Sequence, residues 1–308
     1  ALELAEMLAG EGREESSRNE EVASSCAGLS LLLRTMLGAR LPVLAARAGC
    51  PPHETEALPR FNALLLALGL RLGGVADSLL IDEGLCLLAG VRPGLSLAEL
   101  RAVWAESDEA DHARLQLELL RLLAGQRLLS MEVMHVSRLE SETGATLLIA
   151  GDETTSLWLL GRVLKSDDEV APIISAWLDV WEEASGVRPA LVLDASEAGR
   201  QSLLAAWRAL ADGRLSLEAA DLTLFLVAQS LLRMWARWLR QFAASSVPYL
   251  LESFIRRRGW LAAEDGYLLV ELERAPLDIV IEMAGYLEEL EGVPWLEHGR
   301  IRFVLREA

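Results

Sequence analysis

Histidine takes up and releases protons near neutral pH and ligates metals more readily than any other side chain, and this chain has four: His53, His112, His135 and His298. They are widely scattered and form no His-x-x-x-His pair. Cys26, Cys50 and Cys86 likewise lack Cys-x-x-Cys spacing, so no zinc site or redox dithiol is written locally. The densest polar cluster is Asp108-Glu109-Ala110-Asp111-His112. Its acids and imidazole could hold a cation, but the cluster stands where a helix begins. Acids at that place satisfy free backbone N–H groups and the helix dipole, and that is the preferred reading.

Nucleophilic chemistry has no better footing. There is no Gly-x-Ser-x-Gly elbow and no Walker-type phosphate loop, and Gly73-Gly74 ends a helix rather than opening a dinucleotide fold. Lys165 is the sole lysine, so Schiff-base chemistry would hang on it alone; within Lys165-Ser166-Asp167-Asp168-Glu169 it reads as a solvated loop cation. Acid pairs such as Asp152-Glu153 and Glu288-Glu289 read as solvated faces. An enzyme reading would have to assemble a site from distant residues, with His135 and the acids near Asp152 as its candidates. No catalytic, cofactor-binding or metal-binding residue is assigned, and no cofactor is expected.

Aromatic side chains offer a different chemistry, that of anchoring a partner. Of nine tryptophans, Trp177, Trp181, Trp235 and Trp238 fall on helical stripes where packing explains them. Trp260 and Trp295 are the candidate partner-binding residues, each also able to cap a terminal sheet, and core packing is the preferred reading of both. The cysteines fit a reducing compartment, and Cys86 within Leu85-Cys86-Leu87-Leu88 reads as a small core hydrophobe.

The periodicities that must position these residues predict an α+β fold, predominantly helical. Residues 1–25 read as a flexible tail or linker, 26–125 as a helical region and 126–308 as a mixed α+β region, with one continuous domain over 26–308 as the alternative. In the first region the pattern predicts helices at Leu29–Ala46 and Glu54–Leu72, a capping box of Ser96 and Glu99 opening a helix at about 97–105, and another at about 109–124. Met131–Leu139, Ala145–Ala150 and Ser156–Val163 then alternate with a period near two, which predicts a central antiparallel meander. An apolar stripe from Ile173 to Ala184 predicts a helix closed by Gly186, and Pro189–Asp194 a short buried strand. A helix at about 198–211 precedes Ser216 to Phe242, where Leu217, Leu224, Leu231 and Trp238 recur every seven residues. Asp221, Gln229, Arg233, Arg237 and Arg240 fall on one side of it, and its remaining circumference is apolar, as expected of a buried central helix. The end of the chain predicts a helix at about 246–257, a hairpin of Gly259–Ala263 with Tyr267–Glu273, a helix at Pro276–Leu287 and a strand containing Ile301, Phe303 and Leu305: a small C-terminal sheet.

Composition narrows the function classes. With 308 residues and 52% of them hydrophobic, the chain can bury a large core. A net charge of −17 repels phosphate backbones and anionic lipid, so free nucleic acid is not an expected partner. The apolar runs Ala63–Leu70 and Leu222–Ala228 are too short to span a bilayer, so membrane insertion is not expected either. The residues given begin at Ala1 without a basic stretch and apolar run, so no signal peptide is expected. These features together predict a cytoplasmic protein.

The segments Ala244-Ser245-Ser246-Val247-Pro248-Tyr249-Leu250-Leu251-Glu252-Ser253-Phe254-Ile255 and Val270-Glu271-Leu272-Glu273-Arg274-Ala275-Pro276-Leu277-Asp278-Ile279-Val280-Ile281-Glu282-Met283-Ala284-Gly285, with Pro294-Trp295-Leu296 and Arg302-Phe303, carry a resemblance. They resemble a family encoded in bacterial gene clusters for extracellular contractile injection systems, the phage-tail-like particles. The likeness covers about residues 215–308, with a fainter echo in Gly28-Leu29-Ser30-Leu31-Leu32-Leu33. Its positions are apolar, Pro and Gly, a signature of fold rather than of catalysis, so it carries over no functional residue. Asp278 and the acidic Glu288-Glu289-Leu290-Glu291 stretch depart from the family's pattern. The resemblance implies a non-enzymatic structural, assembly or accessory role through contacts with other proteins, such as particle or assembly components. An interaction module of another bacterial system is the first alternative, and an enzyme with a dispersed site the second.

Overall fold

A computed structural model describes residues 21–49, 82–90, 107–125, 131–140, 146–152, 157–193, 196–201, 219–297 and 299–307. The expected helices at Glu54–Leu72 and about 97–105, most of the one at about 198–211, and His53, Cys50 and His298 lie outside the described residues. The fold is α+β, with helices packed around two small mixed sheets.

Val22–Ser24, inside the expected tail, form β1 on the edge of the five-stranded sheet, antiparallel to β6 (Gly259–Glu264). The predicted single helix over Leu29–Ala46 is a 3-10 turn at Ala27–Ser30 followed by α1 (Leu31–Gly38) and α2 (Leu41–Ala48). The break falls at Arg40, which adopts a left-handed φ of 51° just before Pro42. Proline has no N–H to continue a helical ladder, so it sits in the first turn of a new helix instead. Asp82 caps α3 (Glu83–Ala89), accepting from Gly84 N at 2.8 Å, and its other oxygen accepts from Ser25 N at 3.2 Å, which ties α3 to β1.

The meander is present as β2 (Val133–Glu140), β3 (Thr146–Asp152) and β4 (Leu157–Leu164), preceded by α4 (Glu109–Gly125). From β4 the chain returns through α5 (Val170–Ser185), which Gly186 closes at φ 77°, and lays β5 (Ala190–Leu193) parallel to β2. A parallel neighbour needs such a helical crossover, and the sheet order becomes β4-β3-β2-β5.

Across β4 lies α6 (Ala219–Trp238), buried at every described side chain from Leu222 to Leu232 and in contact with α4 and α1 as well. Close approach is possible because β4 carries Gly161: a Cβ there would stand 2.6 Å from Leu222 Cδ2. Beyond α6, α7 (Val247–Leu250) runs into a π-helical turn at Leu251–Ile255. The hairpin of β6 with β7 (Tyr267–Glu273) follows, then α8 (Asp278–Met283), β8 (Leu290–Glu291) and β9 (Arg300–Arg306). β9 runs parallel to β7, so this sheet repeats the device of the first, an antiparallel hairpin with a parallel strand brought back beside it.

Asp278, one of the departures from the resembled pattern, is buried and paired with Arg257 at 2.7 and 3.0 Å, and it also accepts from Ala275 N at 2.8 Å. The pair fixes the start of α8 against the hairpin, and removing either member would strand a buried charge. Buried residues from Cys26 to Phe303 form one continuous core. No helix among the described residues is long and apolar enough to cross a membrane.

Candidate functional site

The acidic cluster at the start of α4 does what helix starts require. Asp108 Oδ1 accepts from Asp111 N at 2.8 Å, and Asp111 pairs with Arg114 at 3.0 Å. His112 points into the core, where desolvation lowers its pKa against the opposing pull of Asp111 and Asp108. Lys165 is exposed and pairs with Glu109 at 3.1 Å. His135 is half-buried on β2 opposite Gly151, and Asp152 is buried at the end of β3; burial lowers the pKa of Arg233 against the opposing pull of the Asp152 charge. Burial holds the thiols of Cys26 and Cys86 above their ordinary pKa, and both are unpaired. No cluster of potential metal ligands occurs among the described residues.

The two tryptophans expected as partner anchors are already engaged. Trp295 is only 7% exposed, and its Nε1 donates to Leu88 O at 3.0 Å, so it ties the C-terminal region to α3. An indole has one polar edge to satisfy, and here an interior carbonyl satisfies it. Trp260 is half-buried on β6 with the Arg306 guanidinium 4.3 Å from its ring centroid. Arg306 is held there by Glu21 at 2.6 Å and Glu271 at 3.0 Å. The Trp295 ring is thus buried, and one face of the Trp260 ring is covered by Arg306.

The four-stranded sheet presents a clearer opportunity, because its two edges differ. Along β4 the outward N–H groups find side-chain acceptors: Trp158 N donates to Gln229 Oε1 at 3.3 Å and Gly161 N to Gln116 Oε1 at 2.9 Å. Gln116 Nε2 in turn donates to Thr223 Oγ1 at 2.7 Å. All three polar side chains are buried, so α4 and α6 seal this edge with hydrogen bonds as well as bulk. Gln229 therefore belongs to the buried side of α6, not to the polar side on which its spacing placed it.

β5 is the opposite edge, and it is not buried as its apolar run predicts. Leu191 is 40% exposed, Val192 39% and Leu193 59%, with Val187 exposed just before them. Ala190 N donates to Glu132 O at 2.9 Å, toward β2. Strand alternation then turns the N–H and C=O of Leu191 and Leu193 outward, where no strand among the described ones pairs with them. A continuous apolar run usually means a strand covered on both faces, and here the side chains of Leu191, Val192 and Leu193 are exposed instead.

The chain matches no protein-family model, no curated protein and no solved structure.

Proposed function

We propose that this chain is a non-enzymatic interaction component, a structural, assembly or accessory part of a phage-tail-like contractile injection system, and that it takes an extended segment of a partner protein onto β5. The open apolar edge at Leu191–Leu193 is the observation that carries the reading. Strand addition draws affinity from main-chain hydrogen bonds and specificity from alternate side chains. β5 supplies outward backbone groups together with side chains on both faces. Pro189 and Arg188 precede the strand, and a proline without an N–H sets the point at which pairing must begin. The net charge of −17 favours a partner strand with basic flanks. The resemblance over residues 215–308 supplies the biological setting.

The test co-expresses the chain with the sheath, tube, baseplate and ATPase proteins of such a gene cluster and asks which co-purify. One particle protein is expected to do so, and Leu191→Lys together with Leu193→Lys is expected to abolish the association while leaving the fold intact. Failure of all four classes to associate defeats the injection-system role. Association untouched by the lysine pair defeats the β5 site, and self-association lost in that variant replaces the partner with a second copy of the chain.

A further inference from the structure

A concavity of about 700 Å³ opens where the C-terminal end of α6 meets α8 and α1. Trp238, Val280, Met283 and Tyr286 form its apolar walls, and Arg34 and Arg240 reach into its lining. Apolar walls with a few convergent polar groups, at this volume, characterise sites for small organic ligands.

Neither cation meets a carboxylate among the described residues, unlike most of the described arginines. Arg114, Arg138, Arg188, Arg257, Arg302 and Arg306 each meet a carboxylate. Arg34 instead donates through Nη2 to the carbonyls of Glu288 at 2.8 Å and Glu289 at 3.4 Å, and its buried Nε has no partner. Arg240 has no carboxylate partner among the described residues. In a molecule with a net charge of −17, two guanidiniums that line one cleft without a carboxylate partner favour an anion there.

Arg240 closes α6 at φ 51°, its N–H bonded to Arg237 O at 2.9 Å. Glycine is the usual residue in that left-handed position, because any Cβ is strained there. The chain keeps this conformation at two arginines, Arg40 and Arg240, of which Arg240 lines the cleft. Beneath the cleft, Trp235 packs edge-on against Tyr286 at 6.0 Å and Phe254 at 5.0 Å, a base that orders the walls before any ligand arrives. Burial pushes the Tyr286 hydroxyl up to about 12, so it adds no negative charge. It lies near Thr35 without closing a hydrogen bond of good geometry.

The geometry points to a binding site for a small amphipathic organic anion, a carboxylate, sulfonate or phosphate ester on an apolar body. Arg34 and Arg240 hold the charged group, as guanidinium forks hold oxyanions. Trp238, Val280 and the adaptable Met283 cover the body.

Titrating the chain with 8-anilinonaphthalene-1-sulfonate, and displacing it with decanoate or decanol, tests this directly. One saturable site is expected, from which decanoate displaces the dye and decanol does not. Arg240→Gly relieves the strained φ, so its melting temperature should equal or exceed that of the unaltered chain while dye and decanoate affinity fall at least about tenfold. Met283→Glu is the second variant: the side chain is 84% exposed, so folding should be untouched and a like charge at the mouth should weaken binding again. No saturable binding, equal competition by decanol, or affinity unchanged in both variants overturns the proposal. Displacement of the dye by an acidic peptide but not by decanoate also overturns it, in favour of a protein segment. The outcome is independent of whether β5 accepts a strand.

Discussion

The two edges of the four-stranded sheet present the same backbone chemistry to opposite environments. At β4 the outward N–H groups of Trp158 and Gly161 end on Gln229 and Gln116, inside a wall made by α4 and α6. At β5 the outward groups of Leu191 and Leu193 meet no strand among the described ones, and the side chains beside them are exposed. An uncovered edge invites pairing with another chain, and folds ordinarily blunt it. One edge is sealed by the buried side chains of Gln116, Thr223 and Gln229, whereas the other is short and preceded by Pro189; the proposed strand addition uses this second edge.

Removing the seal should have the largest effect. Gln116→Leu leaves the Gly161 N–H and the Thr223 hydroxyl buried without their partner, and urea unfolding should show a loss of about 2–6 kcal/mol, since each such group costs about 1–3 kcal/mol. A loss below about 1 kcal/mol would mean that the network is not what closes this edge. Gly161→Ala comes next, because its Cβ would stand 2.6 Å from Leu222 Cδ2 and 3.0 Å from Leu222 Cδ1, on a side chain that is itself buried. Overpacking of this kind costs about 1–3 kcal/mol, read as a lowered thermal midpoint.

Acid should loosen the sealed edge in a graded way. His112 lies one turn before Gln116 on α4, and desolvation holds its pKa below the ordinary 6.5. As pH falls below 6.5 the unfolded chain takes up that proton before the folded one does, so this contribution is complete above 6.5 and declines below it. His112→Leu should flatten that limb of the stability profile. The smallest effect on stability belongs to the open edge: Leu193→Lys should change it by no more than about 0.5 kcal/mol while removing strand pairing with a partner. A large loss there would show that β5 is part of the packed core after all.

Much of this fold was legible before any coordinates. The meander strands, the stripe of α5 with its Gly186 cap, the buried α6 and the alternation of β9 all follow from periodicity, because in each one apolar face meets one core. What periodicity could not convey was partnership across the chain. A lone glutamine within an apolar stripe, such as Gln116 between Leu115 and Leu119, was the available sign of a sealed strand edge, but its partner on β4 is 45 residues away. Gln229 looked like a member of a polar side because spacing assigns a face without saying what covers it. The run Ala190–Leu193 misled for the converse reason: apolar content reports what a strand would bury, not what this chain buries. Trp260 and Trp295 have few constraints from their sequence neighbours, because theirs come from Arg306 and Leu88, distant in sequence. The cleft depends on Arg34 and Arg240, which only the packing of α1 against α6 brings together.

Backbone amide hydrogen exchange on the isolated chain tests the contrast between the edges most directly. The amides of Trp158 and Gly161 should exchange slowly, near the limit set by global unfolding, while those of Leu191 and Leu193 exchange close to the rate of unprotected backbone. Protection at Leu191 and Leu193 equal to that at Gly161 would contradict the account, since it would mean that the β5 edge is already covered.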